Sequence, residues 1–64
     1  MKGMFQLKFD HTDWIDIPEP EMRHVLSGHY SPKSAVDDAL DEMIYDGRIF
    51  QFLFAKYRFK KEGG

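Results

Sequence analysis

Cysteine is absent from this 64-residue sequence, and no apolar run in it is long. The lack of cysteine excludes disulfides and most zinc sites, and it favours a reducing compartment. The longest strongly apolar stretch, residues 49–55, contains Gln51 and is far shorter than the roughly 20 residues that span a bilayer. The N-terminus lacks the basic segment and continuous apolar run of a secretion signal. We therefore expect a cytoplasmic protein without a membrane segment.

The chain lacks the residue pattern of a catalytic site. Gly28 and Gly47 stand alone, so the glycine-rich loop that cradles phosphates is missing. Ser27, Ser31 and Ser34 lie at expected helix boundaries, where no activating base accompanies them. A chain this short is also not expected to form a lined pocket of about 300 Å³ or more. We predict that the protein is not an enzyme and binds no cofactor.

The three histidines give little support for a metal site. His11 is flanked by Asp10 and Asp13, and imidazole beside carboxylates can bind a cation. A solvated turn explains the same cluster, because aspartate is common in turns. His24 and His29 are five residues apart, whereas paired ligands on one helix face are four apart. We predict no metal site.

The composition is that of one folded domain. Aromatic residues make up 16% of the chain and charged residues 31%, with a net charge of −2. We predict a single domain over residues 1–64, with a polar, mobile tail at residues 61–64. A domain of this length buries only about 60% of its unfolded surface. Without disulfides or a metal, a second subunit is the natural supplement to its core.

The first part of the chain predicts a hairpin. Residues 4–9 alternate apolar and polar side chains, as in a half-buried strand. The polar turn residues after them lead to residues 14–17, a second candidate strand that ends at Pro18.

Two helices follow. Residues 19–27 predict a short helix that a left-handed Gly28 ends. Residues 32–45 predict a longer helix, with Ser31 as its N-cap and Gly47 as its stop. The expected apolar stripes are Met22, Val25 and Leu26 in the first helix, and Ala35, Val36, Ala39, Leu40, Met43 and Ile44 in the second.

Residues 48–60 are rich in isoleucine, phenylalanine and tyrosine, which favours a strand; a hairpin or a partly helical segment remains an alternative. A single strand would be apolar on both faces, with Phe50, Phe52 and Phe54 on one and Ile49, Leu53 and Tyr57 on the other. The sequence thus predicts an α+β fold: a small antiparallel sheet, with an N-terminal strand or hairpin and a long C-terminal strand, packed against two helices. Since two helices cover one face only, we predict a homodimer through the C-terminal strand.

Charge is distributed unevenly along the chain. Residues 1–47 carry four basic and ten acidic side chains, whereas residues 48–64 carry five basic and one acidic. The longer predicted helix presents a ridge of carboxylates opposite its apolar stripe: Asp37, Asp38, Asp41 and Glu42. Such a ridge is usually a solvated face, but it also fits docking on a basic partner surface.

We therefore expect a non-enzymatic protein-binding module, a small regulator or inhibitor of a larger protein. The acidic ridge is one predicted contact surface. The aromatic strand is the other, through Phe50, Phe52, Phe54 and Tyr57. A small, acidic, aromatic-rich chain also suits an inhibitor encoded by a phage or another mobile element.

A single-stranded nucleic-acid-binding domain is the alternative. Basic side chains interleave with the aromatic residues near the C-terminus: Lys56, Arg58, Lys60 and Lys61. Single-strand binders stack bases on aromatic side chains beside a basic track. The negative net charge and the need for phenylalanine in the core argue against this function.

The stretch of residues 21–59 resembles part of a winged-helix domain in its order of helix, turn at residues 28–30, second helix and strand. Winged-helix domains place the second helix in the DNA major groove. A helix that carries Asp38 and Asp41 would be repelled by DNA phosphates. We assign the sequence to no family.

Overall fold

The computed structural model describes residues 3–62. Their strands and helices follow in this order: β1 at Gly3–Phe9, β2 at Ile15–Ile17, α1 at Glu19–Ser27, α2 at Lys33–Tyr45, β3 at Phe50–Phe52 and β4 at Ala55–Lys61. The strands form one antiparallel sheet in the order β2, β1, β4, β3, and the helices pack on one of its faces. The predicted α+β class, an antiparallel sheet packed against two helices, is confirmed.

The N-terminal hairpin forms as predicted. β1 pairs with β2 so that Phe5 lies opposite Ile17, and both side chains face the helices. The loop between the strands closes at Thr12, whose hydroxyl oxygen accepts a hydrogen bond from the Phe9 amide at 3.0 Å. The Thr12 amide in turn donates to the Phe9 carbonyl at 3.2 Å. A threonine therefore holds this turn.

Helix α1 occupies the predicted residues. Pro18 precedes it in an extended conformation, and Glu19 and Glu21 lie in its first turn, where carboxylates complement the helix dipole. The prediction of a left-handed Gly28 is wrong, because its φ is −75°. The chain leaves α1 through a turn whose amides donate to carbonyls of the last helical residues.

Helix α2 begins one residue later than predicted. Pro32 occupies the N-cap position, and no side chain within residues 3–62 caps the helix. The prediction that Ser31 is the N-cap is therefore wrong, since Ser31 lies one position too far ahead. Gly47 is confirmed as the stop, with a φ of +70° that glycine adopts without strain. The Arg48 amide then donates back to the Glu42 carbonyl at 3.1 Å.

The C-terminal segment is a hairpin, so the prediction of one long strand is wrong. Leu53 and Phe54 form the turn between β3 and β4, and Phe52 lies opposite Ala55. One continuous strand would expose an apolar row to water, whereas the reversal places the apolar side chains of both arms on one face. The side chains that pack toward the helices are Phe50, Phe52, Tyr57 and Phe59.

The core lies between this face of the sheet and the two helices. Its buried members are Phe5, Ile17, Met22, Leu26, Val36, Ala39, Leu40, Met43 and Phe50. The homodimer was inferred from a strand that is apolar on both faces, and the hairpin removes that premise. The homodimer itself stays a prediction.

The predicted start of the C-terminal tail, at residue 61, lies within a strand. Lys61, which the sequence places in the tail, ends β4 opposite Gly3. Residues 63 and 64 of the predicted tail lie outside the described residues.

Candidate binding surfaces

The face of the sheet that points away from the helices is largely polar. We call this surface the open face. Strand alternation and pairing register place the following side chains on it: Met4, Gln6, Lys8, Trp14, Asp16, Gln51, Lys56, Arg58 and Lys60. The helices cover the opposite face, where the core lies.

Arg58 is held in place on the open face. Its guanidinium carbon lies 4.0 Å from the centroid of the Trp14 ring, in a cation–π contact. Its Nε donates to Gln6 Oε1 at 2.9 Å, and Gln6 Nε2 donates to Asp16 Oδ1 at 2.7 Å. Among residues 3–62, the terminal nitrogens of Arg58 have no hydrogen-bond partner. They are therefore available to an external acceptor.

Two lysines face each other beside Arg58. Lys8 on β1 and Lys56 on β4 are direct cross-strand partners, and like charges in this arrangement are destabilising. Lys60 lies on the same face, whereas Lys61 falls on the alternate one. The structure thus brings together three of the four predicted nucleic-acid contacts and adds Lys8. Sequence reasoning missed Lys8 because only the pairing of β1 with β4 places it there.

Carboxylates balance part of this charge at one end of the open face. A shallow depression there is lined by Lys60, Asp16 and Glu62, among others. The positive charge of the lysine pair and Arg58 has fewer carboxylates near it. The basic region is therefore a patch and not the whole face.

Half of the acidic ridge is neutralised within the protein. Arg23 Nη1 contacts Asp37 Oδ1 at 2.7 Å, and its Nε contacts Glu19 Oε2 at 3.2 Å. The hydrogen bond to Asp37, followed by the one to Glu19, raises the pKa of Arg23. Arg48 Nη1 contacts Glu42 Oε2 at 2.6 Å. The ridge carboxylates without an ion-pair partner within residues 3–62 are Asp38 and Asp41.

The four predicted aromatic contacts do not share one exposed surface. Phe50 is buried, and Phe52 and Tyr57 are half-buried against the core. Phe52 also stacks on His29. Phe54 alone projects into solvent. Three of the four residues therefore serve mainly the fold.

The turn of the second hairpin carries the most exposed large apolar side chains of residues 3–62. Leu53 and Phe54, which we call the hairpin tip, are 85% and 77% exposed. Leu53 has a φ of +55°, and it is the only non-glycine residue with a positive φ in the described part of the chain. Two-residue hairpin turns with positive φ usually carry glycine, asparagine or aspartate. Sequence reasoning missed the tip because neither residue is a turn signal.

A groove of about 540 Å³ lies between α1 and the start of α2, so the expectation that the chain forms no such pocket is wrong. Arg23, His24, Ser27 and Tyr30 contribute to its lining. The Ser27 hydroxyl donates to the His24 carbonyl at 2.7 Å, and thus not to a general base. The groove supplies no activated nucleophile by this contact.

No group of three or more histidine, aspartate or glutamate side chains within residues 3–62 is placed to hold a metal ion. No helix in this part of the chain is long and apolar enough to cross a membrane.

No family model, curated protein or solved structure matches this chain. Function is therefore inferred from the surfaces of the molecule itself.

Proposed function

We propose that this protein is a non-enzymatic protein-binding module, a small regulator or inhibitor of a larger protein, with the hairpin tip as its main contact. The observation that carries this proposal is an exposed leucine in the left-handed region of the backbone. That conformation costs an L-residue roughly 1–2 kcal/mol, and glycine at Leu53 would avoid the cost. The exposed Leu53 side chain does not stabilise the folded protein, so a role in binding is the best explanation of the strain.

The tip fits an apolar pocket on a protein partner. Full burial of a leucine or phenylalanine side chain contributes about 1.5–3 kcal/mol, so Leu53 and Phe54 together could anchor an interface. Both arms of the hairpin belong to the sheet, because β3 pairs with β4 and β4 pairs with β1 over its whole length. A tip held in this way loses little conformational freedom on binding.

The acidic ridge supports the same function as an auxiliary contact. Asp38 and Asp41 are exposed, and both lack an ion-pair partner within residues 3–62. Unpaired carboxylates attract a basic partner surface and raise the association rate. The cytoplasmic location expected from the sequence belongs to this proposal as well.

Affinity capture from the native host tests the proposal with three forms of the chain. Wild type is compared with Phe54→Ser, which removes the tip anchor, and with Tyr45→Ser as a matched control. Tyr45 is 65% exposed at the end of α2 and lines a depression with Met4, at the opposite end of β1 from the tip. We expect one partner to be retained by wild type and Tyr45→Ser, and to bind Phe54→Ser at least about tenfold more weakly. Equal retention by all three forms would contradict the tip as the contact.

A second copy of the chain is the other candidate occupant of the tip, as the predicted homodimer requires. Sedimentation equilibrium distinguishes the two occupants. A mass that stays at 7.6 kDa at all concentrations would contradict the homodimer. A mass that rises with concentration in wild type, but not in Phe54→Ser, would place the second copy on the tip.

A further inference from the structure

We infer that the open face is a second binding site, which holds a short segment of single-stranded nucleic acid. The site consists of Lys8, Lys56 and Arg58, with Trp14 in cation–π contact with the Arg58 guanidinium. It uses other residues than the hairpin tip and does not depend on the function proposed for the tip.

The lysine pair supplies the contact for phosphates. Side chains directly opposite in an antiparallel pair have Cβ atoms about 4.5–5.5 Å apart, and Lys8 and Lys56 are such a pair. Arg58 follows two residues along the same strand, roughly 7 Å away. A phosphate beside these three cations would relieve their mutual repulsion. The attraction of the phosphate to each cation would therefore offset the repulsion that costs stability in the free protein.

The Arg58 and Trp14 pair supplies the contact for a base. The Arg58 guanidinium lies over one face of the indole ring, and both side chains are half-buried. Bases stack on arginine planes as they do on aromatic rings, so the exposed part of this pair can receive a base. The hydrogen bond to Gln6, which is itself bonded to Asp16, holds the guanidinium in this orientation. The free terminal nitrogens of Arg58 can then donate to a phosphate or to a base edge.

This arrangement favours a single strand over the other anionic partners. An acidic peptide offers carboxylates to the lysines but no planar ring to the stacked Arg58. A duplex keeps its bases stacked on each other, so that only its phosphates reach a sheet surface. An unpaired strand presents both groups at once.

The test measures binding of a labelled oligothymidylate of about ten nucleotides, within the site sizes of single-strand binders, by fluorescence anisotropy. Trp14 is the only tryptophan in the chain, so a change in its fluorescence reports on binding at the same site. We expect the affinity to fall with salt between about 50 and 200 mM, by a slope of about −0.7 for each phosphate contact. The double variant Lys8→Gln, Lys56→Gln should lose about 1.4 of that slope.

A matched control is available for the charge change. Lys33 and Lys61 are both exposed, and neither lies on the open face, since Lys33 begins α2 and Lys61 falls on the alternate side of β4. The double variant Lys33→Gln, Lys61→Gln should bind the oligonucleotide with nearly the wild-type slope. An equal loss in both double variants would show non-specific attraction and overturn the site.

Arg58→Lys tests the stacking contact with the charge retained, and circular dichroism confirms that each variant folds. We expect weaker binding and a smaller change in Trp14 fluorescence on binding in this variant. Unchanged binding by Arg58→Lys would overturn the stacked base.

Equal affinity for a duplex of the same length, or equal competition by polyglutamate, would overturn the single strand as the ligand. Phe54→Ser should bind the oligonucleotide as wild type does. The proposals for this site and for the hairpin tip can therefore be tested separately.

Discussion

His29 and Phe52 stack face to face, with ring centroids 4.0 Å apart and planes 6° from parallel. His29 belongs to the turn between the two helices, and Phe52 ends the edge strand β3. The stack therefore joins the helical layer to the edge of the sheet, beside the hairpin tip.

Replacement of this histidine should weaken the fold measurably. His29→Ala is expected to lower the free energy of unfolding by about 0.5 kcal/mol, the lower end for an aromatic pair, because His29 is exposed. Urea denaturation followed by circular dichroism measures this change. His24→Ala is the control, because His24 is also exposed but has no aromatic partner within residues 3–62. If both variants lose the same stability, the stack contributes nothing in solution.

Relief of backbone strain at the tip should stabilise the protein. Leu53→Gly is expected to raise the free energy of unfolding by about 1 kcal/mol, because glycine adopts positive φ freely. For a domain of this size that corresponds to a rise in Tm of about 4–8 °C. Phe54→Gly is the matched control, since Phe54 is outside the positive-φ region and should lose stability on the same change. A Tm of Leu53→Gly at or below that of wild type would argue against strain at Leu53.

Reversal of one charge in the lysine pair should also stabilise the fold. Lys56→Glu places opposite charges across β1 and β4, and we expect a gain of about 0.2–1 kcal/mol. The gain should shrink at high salt, where exposed charges are screened. Lys60→Glu makes the same change in net charge opposite Met4, where it creates no ion pair with its cross-strand neighbour. Equal Tm shifts in the two variants would show an effect of net charge alone.

Gly3 is required by close packing at the start of β1. A Cβ there would lie 2.4 Å from the Phe59 ring and 2.6 Å from the Lys60 carbonyl oxygen, which is backbone and cannot move aside. Gly3→Ala should therefore destabilise the protein by about 1–3 kcal/mol. Gly28→Ala is the control, because its nearest neighbour is at 3.4 Å and its φ is negative. Urea denaturation of the two variants should give free energies of unfolding that differ by at least about 1 kcal/mol, and equal values would contradict the close packing at Gly3.

The sequence by itself determined the elements that depend on neighbouring residues. The apolar period of residues 32–45 gives α2, Pro18 sets the start of α1, and alternation over residues 4–9 gives β1. These signals act within a few residues, where hydrogen bonding and side-chain direction are local. The fold class follows from their order, so it too was predictable.

The tertiary structure decided the reversal at residues 53 and 54 and everything that follows from it. Neither Leu53 nor Phe54 favours a turn, and the reversal forms because it puts the apolar side chains of both arms on the helix-covered face. It thereby leaves a strained apolar tip in solvent.

The open face and the acidic ridge also depend on contacts between distant parts of the chain. Trp14 and Arg58 meet only because β4 pairs beside β1, and this register also sets Lys8 opposite Lys56. Asp37 forms an ion pair with Arg23 only because α2 packs on α1. Residue type and spacing do not predict such contacts, because burial of the shared core, and not local conformational preference, brings these side chains together.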